Sequence, residues 1–411
     1  MAAADVTTIE AALKEGWTQD NLEIQFMKDD PVFEAISVVS PDQMVGEYAL
    51  TGVHTGRGGG ITKVPSTGSK ELNEPGPEQT NQAKWKLKRT VGAVEIDTAA
   101  IKQTQNKAQA VASIVDLETE GKISTARKQM TSELMRDQTG LICQLAANEE
   151  TKTLKLATSG EYGLGVEATR QGWLNEGQVI DIGTTSEEAV KADGVTITAV
   201  NDDDTEPTIT VSGSNLTTTT SHYVSIKNGR SGTTSYDMNG LRNIASRTSK
   251  LGEINPETEN GWKAAFVDTS GGVIARQRVI AGRRKVRARG VRPDWAITSL
   301  EQVEALENEM YPQARYDSPE NMNTGDGESV MIGNLKVQGH EDTPRGDFTY
   351  LKKAHLKLLR DDKPDWHGEK FGSGILQIKA GTTFVYGSFE WFTEAITNRR
   401  NAFGQFRKLT V

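Results

Sequence analysis

An α+β fold is what this sequence predicts, with an extended arm, an extended loop and a β-rich insertion added to a mixed body. Three observations carry that expectation. Apolar residues recur at helical spacing between about 106 and 148, whereas Trp85 and Leu87, or Val94 and Ile96, alternate with the period of strands. Residues 52–77 hold seven Gly and three Pro in 26 positions, so no core can form there. From about 172 to 233 the composition shifts to Thr, Ser, Gly and Asp, with short alternating segments between turns.

In chain order, the first 45 residues mix short apolar groups with charges and carry Pro31 and Pro41, as an arm that gains order on a partner surface would. The Gly/Pro-rich stretch is flanked by "GEYALTGV" and "AKWKLKRTVGAVEID", both strand-like, so the whole reads as one long two-stranded loop. A hairpin of that length without a core of its own is expected to reach onto something else. Val111, Ile114 and Val115, then Ile123, Ala126, Met130, Leu134, Leu141 and Leu145, predict one long amphipathic helix with a break near Gly121. "VTITAV", "TITVS" and "HYVSI" predict a small antiparallel module. "DWAITSLEQVEALENEM" predicts a strand and then a helix, with Ser299 and Gln302 as a capping box. Strands return in "NLKVQGHED", "FTYLKKAHLKLL" and "GILQIKAGTTFVYG".

Composition narrows the function classes. The 411 residues carry 47 basic and 56 acidic side chains, a net charge of −9, which argues against a dedicated nucleic-acid binder. A single cysteine, Cys143, excludes an intrachain disulfide, and its neighbours Leu141, Ile142 and Leu145 predict a buried thiol. The N-terminus lacks the pattern of a signal peptide, no stretch is apolar enough for a membrane span, and a cytosolic protein is expected.

The sequence offers no catalytic, cofactor or metal site. "GRGGG" at 56–60 lacks the Lys-Ser/Thr of a phosphate loop. The five histidines are too dispersed for a local ligand motif, and "NDDDTEP" lacks the Gly and distal Glu of a calcium loop. Neither "FGSGIL" nor "GRSGT" is a nucleophile elbow.

Two clusters stand out. Residues 276–292, "RQRVIAGRRKVRARGVR", hold eight basic residues, among them Arg283, Arg284, Lys285, Arg287 and Arg289, and no acidic one. An acidic protein partner, a solvated helix face and DNA phosphates all remain open as readings of this patch. The second cluster is "FVYGSFEWFTEAITNRRNAFGQF", 384–406, which holds seven of the chain's 25 aromatic residues. These either fill a core or stand at an interface, where aromatics and Arg are enriched.

The order of arm, Gly/Pro-rich loop, long helix, mixed body and closing aromatic strand resembles the major capsid proteins of tailed double-stranded DNA bacteriophages, the Hong Kong 97 fold. "FEWFTEAITNRRNAFGQFRKLTV" carries the resemblance best, and the run from Tyr311 to Leu359 supports it. The resemblance implies an N-terminal arm at 1–45, an extended β-hairpin loop at 46–97, a peripheral domain with its spine helix at 98–171, a β-rich insertion domain at 172–233, an axial domain at 234–375 and the peripheral domain's C-terminal strands at 376–411. It implies a non-enzymatic subunit that assembles as hexamers and pentamers into an icosahedral head around phage DNA. Its partners would be other copies of itself, a scaffold protein and portal during assembly, a decoration protein, and packaged DNA through weak non-specific contact, with no membrane and no cofactor. Assembly would take place in the cytoplasm of the bacterial host and the product would be the virion shell. Expected inter-subunit contacts are Arg57, Lys63, Lys70, Trp85, Trp391, Phe392, Arg399 and Arg400. An encapsulin-like shell or a β-rich phage adhesin or tail protein are the competing readings.

Overall fold

The computed structural model describes residues 32, 35–39, 48–67, 71, 73–104, 114–314, 328–360, 365–367, 376–379 and 381–410. Most of the expected arm at 1–45, and Lys70, lie outside the described residues.

The long strand Phe384–Thr397 organises one six-stranded sheet. It pairs antiparallel with Lys88–Asp97 along that strand's whole length, from Phe384↔Asp97 to Thr393↔Lys88. Leu356–Arg360, Asp365–Trp366 and Gln377–Ile378 also pair with it, and Ser37–Val39 runs parallel to Leu356–Arg360. The helix Ile114–Met135 buries Ala126, Met130, Leu134 and Met135, and the Arg127 guanidinium sits 5.8 Å from the Trp391 ring centroid.

A second six-stranded sheet runs in the order Phe266–Asp268, Gly404–Phe406, Phe348–Leu351, Trp295–Thr298, Leu335–Gly339, Ser329–Ile332. The helices Arg276–Arg287 and Leu300–Ala314 belong to this part of the chain. Both sheets share one hydrophobic core, which runs from Val32 to Leu409.

A separate core gathers Ile142, Cys143, Leu145, Leu154, Leu156, Ile180, Ile182, Ile197, Ile209, Val211 and Val224 around a third six-stranded sheet. The β module therefore starts some thirty residues before the position at which composition shifts. Its outer strands are Cys143–Gln144 and Thr153–Lys155, and the helix Gly165–Arg170 packs on it.

Three local expectations need correction. The helix expected through 148 ends at Met135 and runs unbroken through Gly121. Asp137 accepts from the Thr139 N–H and hydroxyl, Gly140 takes φ +73°, and Arg136 folds back onto the Ser132 and Leu141 carbonyls, so the chain turns there. Leu141 and Leu145 continue the apolar spacing but are buried beyond that turn, Leu145 in the β module. The long loop is likewise shorter than expected. Ala49–Gly56 pairs with Gln79–Trp85, but Lys88–Asp97 leaves that hairpin for the ten-pair ladder with the aromatic strand. Finally, the capping box at Ser299 does not form. The Ser299 hydroxyl has no hydrogen-bond partner among the described residues, and the Thr298 hydroxyl lies 2.6 Å from Gln302 Oε1 instead.

Candidate assembly surfaces

The hairpin is half buried by design of its alternation. Val53, Thr55, Ala83 and Trp85 face inward, while Leu50, Gln82 and Lys84 face out. Its base lies on the segment 251–262 of its own chain. The Lys84 N–H donates to the Gly252 carbonyl at 2.9 Å, and a Cβ on Gly261 would fall 1.8 Å from the Thr55 carbonyl oxygen. The Trp85 indole N–H donates to Thr51 Oγ1 at 3.0 Å.

Beyond Gly56 the loop leaves the body. The Asn73 backbone N–H donates to Thr62 Oγ1 (2.7 Å) and its side-chain amide to the Ile61 carbonyl (3.0 Å), so the two arms stay together. His54 Nε2 lies 2.6 Å from Glu78, whose carboxyl is held below its usual range by that bond. Ile61 is 89% exposed and Val64 is exposed too, as are Arg57 and Lys63. Apolar side chains held this far from their own core are candidates for burial against another surface.

The basic segment forms the helix Arg276–Arg287, with Val279, Gly282 and Val286 buried. Gly282 is required by close approach: a Cβ there would meet the Phe406 ring and the Tyr350 hydroxyl at 2.6 Å. Part of the positive charge is used locally. Lys285 pairs with Asp268 at 3.2 Å and lies 5.0 Å from the Phe266 centroid, Arg278 lies over Phe406, and Arg283 donates to the Ile332 carbonyl. Asp268 is pulled down to about 2, first by its hydrogen bond from Ser270 and then by Lys285. Arg284, Arg287, Arg289 and Arg292 are exposed, and their side chains make no ion pair among the described residues.

Four of the seven aromatics in the closing stretch, Phe389, Trp391, Phe403 and Phe406, are buried, whereas Phe384 and Phe392 are half-buried and Tyr386 is exposed. Phe389, Trp391 and Phe403 are each 0% exposed, and the strands Phe384–Thr397 and Gly404–Phe406 serve different sheets, so this stretch fills the core under both. Three expected contact residues are therefore internal to the chain. Trp85 and Trp391 belong to the core. Arg400 is 1% exposed, and its guanidinium donates to the carbonyls of Ile244 (3.1 Å), Ser249 (2.7 Å) and Asn243 (2.9 Å). Burial pulls its pKa down to about 10, so it stays charged at neutral pH. Phe392 is half-buried, and only Arg399 of the two arginines is exposed, bonded to Asn401 and to the Gly290 carbonyl.

Sequence reading missed the polar seam that fixes the β module to the body. The Trp173 indole donates to Asp342 at 2.8 Å, and Lys128 from the long helix pairs with the same carboxylate. The Arg345 N–H donates to Glu167, its guanidinium reaches Glu301 and Asp204, and Arg407 pairs with Glu161. Asp203 and Asp204 of "NDDDTEP" are used within this structure. Asp203 accepts from Thr205 and Glu206 and is pulled down to about 2, first by the Thr205 hydroxyl. Asp204 binds Arg170 and Arg345. Asp203 bonds locally, but nothing in the local spacing marks the seam itself, because the partners that cross it are distant in sequence. Among the described residues no group of three or more His, Cys, Asp or Glu is arranged to hold a metal ion, and no helix is long and apolar enough to cross a membrane.

No family model matches the sequence, and no curated protein does either. Solved structures do. The capsid asymmetric unit of cyanophage A-1(L) aligns over 99% of this chain and 99% of its own, with 11% identity and a TM-score of 0.54. The chain has the Hong Kong 97 capsid fold. A capsid subunit of a native GTA particle aligns over 97% of this chain and 96% of its own, with 7% identity and a TM-score of 0.50. The holo-SrpI encapsulin of Synechococcus elongatus PCC 7942 aligns over 100% and 96%, with 8% identity and a TM-score of 0.48. Among the described residues, the hairpin tip, Arg284, Arg287, Arg289 and Arg292, and Arg399 are exposed on this fold.

Proposed function

We propose that this chain is the major capsid protein of a tailed bacteriophage: a subunit whose copies form hexamers and pentamers and close into an icosahedral head around double-stranded DNA. The observation that supports this most is the fold correspondence with the A-1(L) capsid subunit, which extends over 99% of both chains. The hairpin tip suits the role. Ile61 and Val64 lie exposed on a loop that no described residue covers, and burial against a neighbouring copy would supply association energy of about 25 cal/mol per Å² of apolar surface.

In this reading Arg57, Lys63, Phe392 and Arg399 are contact residues, and the scaffold protein and portal are assembly partners. The subunit has no catalytic role, and its place is the virion shell, assembled in the host cytoplasm. The β module, held by the seam through Asp342, Arg345 and Glu161, would act as a rigid insertion. Static light scattering and nuclease-protected DNA content of the particles test the proposal. Shells that enclose DNA are expected; shells that enclose only protein cargo would favour an encapsulin-type compartment.

A further inference from the structure

The basic segment ends in a corner whose backbone is fixed. The helix Arg276–Arg287 is pinned to the second sheet: the Tyr350 hydroxyl donates to the Val279 carbonyl at 2.9 Å, and Val279, Gly282 and Val286 are buried. Past the helix the chain turns on itself. The Arg289 N–H donates to the Val286 carbonyl at 3.0 Å, the Gly290 N–H donates to the Arg287 carbonyl at 2.9 Å, and Gly290 takes φ +82°. Arg399, from the end of the aromatic strand, completes the corner with its guanidinium 3.4 Å from the Gly290 carbonyl.

The charge gathered there is not spent within the chain. Arg284, Arg287, Arg289, Arg292 and Arg399 are exposed and make no ion pair among the described residues. Between 276 and 300 the one carboxylate is Asp294, and it accepts from the Lys353 N–H at 3.0 Å. Cations near a helix C-terminus also meet the helix dipole, but that effect is confined to the last turn, and Arg289, Arg292 and Arg399 lie past it. The corner does not have the make-up of a protein interface either. Such interfaces need an apolar or aromatic core, and none of the exposed large apolar side chains among the described residues falls in 276–300 or 397–410. Exposed arginines without apolar anchors suit phosphate groups, which accept guanidinium forks without a dry surface around them.

We propose that Arg284, Arg287, Arg289, Arg292 and Arg399 form a sequence-independent contact for the phosphate backbone of duplex DNA. The net charge of −9 keeps this contact weak and sensitive to salt, because the rest of the chain repels a polyanion. The inference rests on the capsid reading and deepens it: the corner marks the face that a subunit turns toward the enclosed DNA.

The test follows binding of the full chain to a fluorescent DNA duplex by anisotropy across salt concentrations. In R284Q/R287Q/R289Q/R292Q the affinity at low salt is expected to fall about tenfold, and the slope of log affinity against log salt to flatten by about 0.9 for each arginine that had met a phosphate. K102Q/K152Q/K191Q/K250Q removes the same charge from exposed lysines elsewhere and is expected to keep most of the affinity. Equal losses in the two variants would mean a field of the whole chain, and unchanged binding in the arginine variant would mean another surface; either result overturns the proposal. The quartet R284K/R287K/R289K/R292K keeps the charge and is expected to keep the salt slope, whereas a flattened slope there would show that charge is not what is read. Unlabelled poly-glutamate at equal charge concentration is expected to displace the duplex poorly. Displacement as strong as that by unlabelled duplex would make an acidic protein the partner and sink the DNA contact. Particle yield of the same preparations reports on the capsid reading separately: shells from a chain whose DNA affinity ignores the four arginines would end this inference alone, and arginine-dependent binding by a chain that forms no shells would end the capsid reading alone.

Discussion

The backbone N–H and the side-chain amide of Asn239 both donate to one oxygen of Glu394, each at 2.8 Å. The Ala395 N–H reaches the same oxygen at 3.1 Å. Next to this node the Met238 N–H donates to Glu133 of the long helix at 3.2 Å, so the segment 237–239 ties the helix to the aromatic strand. Burial raises both Glu133 and Asp237, and Arg136 at 3.9 Å from Asp237 offsets part of that effect.

Burial pushes the Glu394 carboxyl up to about 7 from an ordinary 4.5. The folded state therefore holds this proton longer than the unfolded state does. Its contribution to stability is complete below pH 4.5 and is lost as pH rises toward 7. Glu394→Gln keeps the acceptor for Asn239 and has no charge to bury. Denaturant midpoints measured from pH 4.5 to 8 are expected to shift in favour of the variant by on the order of 1–3 kcal/mol as pH rises. A constant difference across that range would contradict the assignment.

Arg400 is predicted to be a folding residue. Arg400→Ala takes the guanidinium donors from the Ile244 and Ser249 carbonyls, while the Asn243 carbonyl keeps the Ser246 N–H and the Ser249 hydroxyl, and a loss on the order of 3 kcal/mol is expected in urea unfolding. Arg400→Lys recovers little of it, because an ammonium cannot reproduce the planar fork of donors. Near-wild-type stability in Arg400→Ala would place the guanidinium in solvent and reopen its role as a contact residue.

Gly261→Ala is predicted to lift the hairpin from its bed. A Cβ 1.8 Å from the Thr55 carbonyl cannot be accommodated by rotating a side chain, since the obstacle is backbone. Limited proteolysis is expected to cut between 49 and 85 faster in this variant, with the β module untouched. Unchanged cleavage rates would show that the hairpin base does not rest there.

Surface substitutions separate assembly from folding. Ile61→Asp and Val64→Asp, together or singly, are expected to leave the subunit's melting temperature within about 1–2 °C, because neither side chain is buried in its own chain. The same variants, and Arg399→Ala, are expected to lower particle yield in sedimentation. Normal yield would remove these residues from the contacts.

How far the sequence was legible varies with the range of the interaction. The period-two runs at 94–96 and 195–200 and the helical stripe through Met130 and Leu134 report one buried face each, and those elements stand where the spacing puts them. Boundaries were less legible. Leu145 keeps the apolar rhythm of the long helix but serves another core, and only the Asp137 to Gly140 turn signals the change. Arg400 shows the limit for sites. Two adjacent arginines look alike in sequence, yet one fills a pocket of carbonyls at 243–249 and the other faces out, a difference set by residues about 150 positions away.

Electron microscopy of the purified protein, expressed alone and with a candidate scaffold protein, tests the central claim most directly. Closed icosahedral shells or rings of five and six subunits are the predicted result. A protein that stays monomeric in both preparations, while folded and with its hairpin exposed, would contradict it.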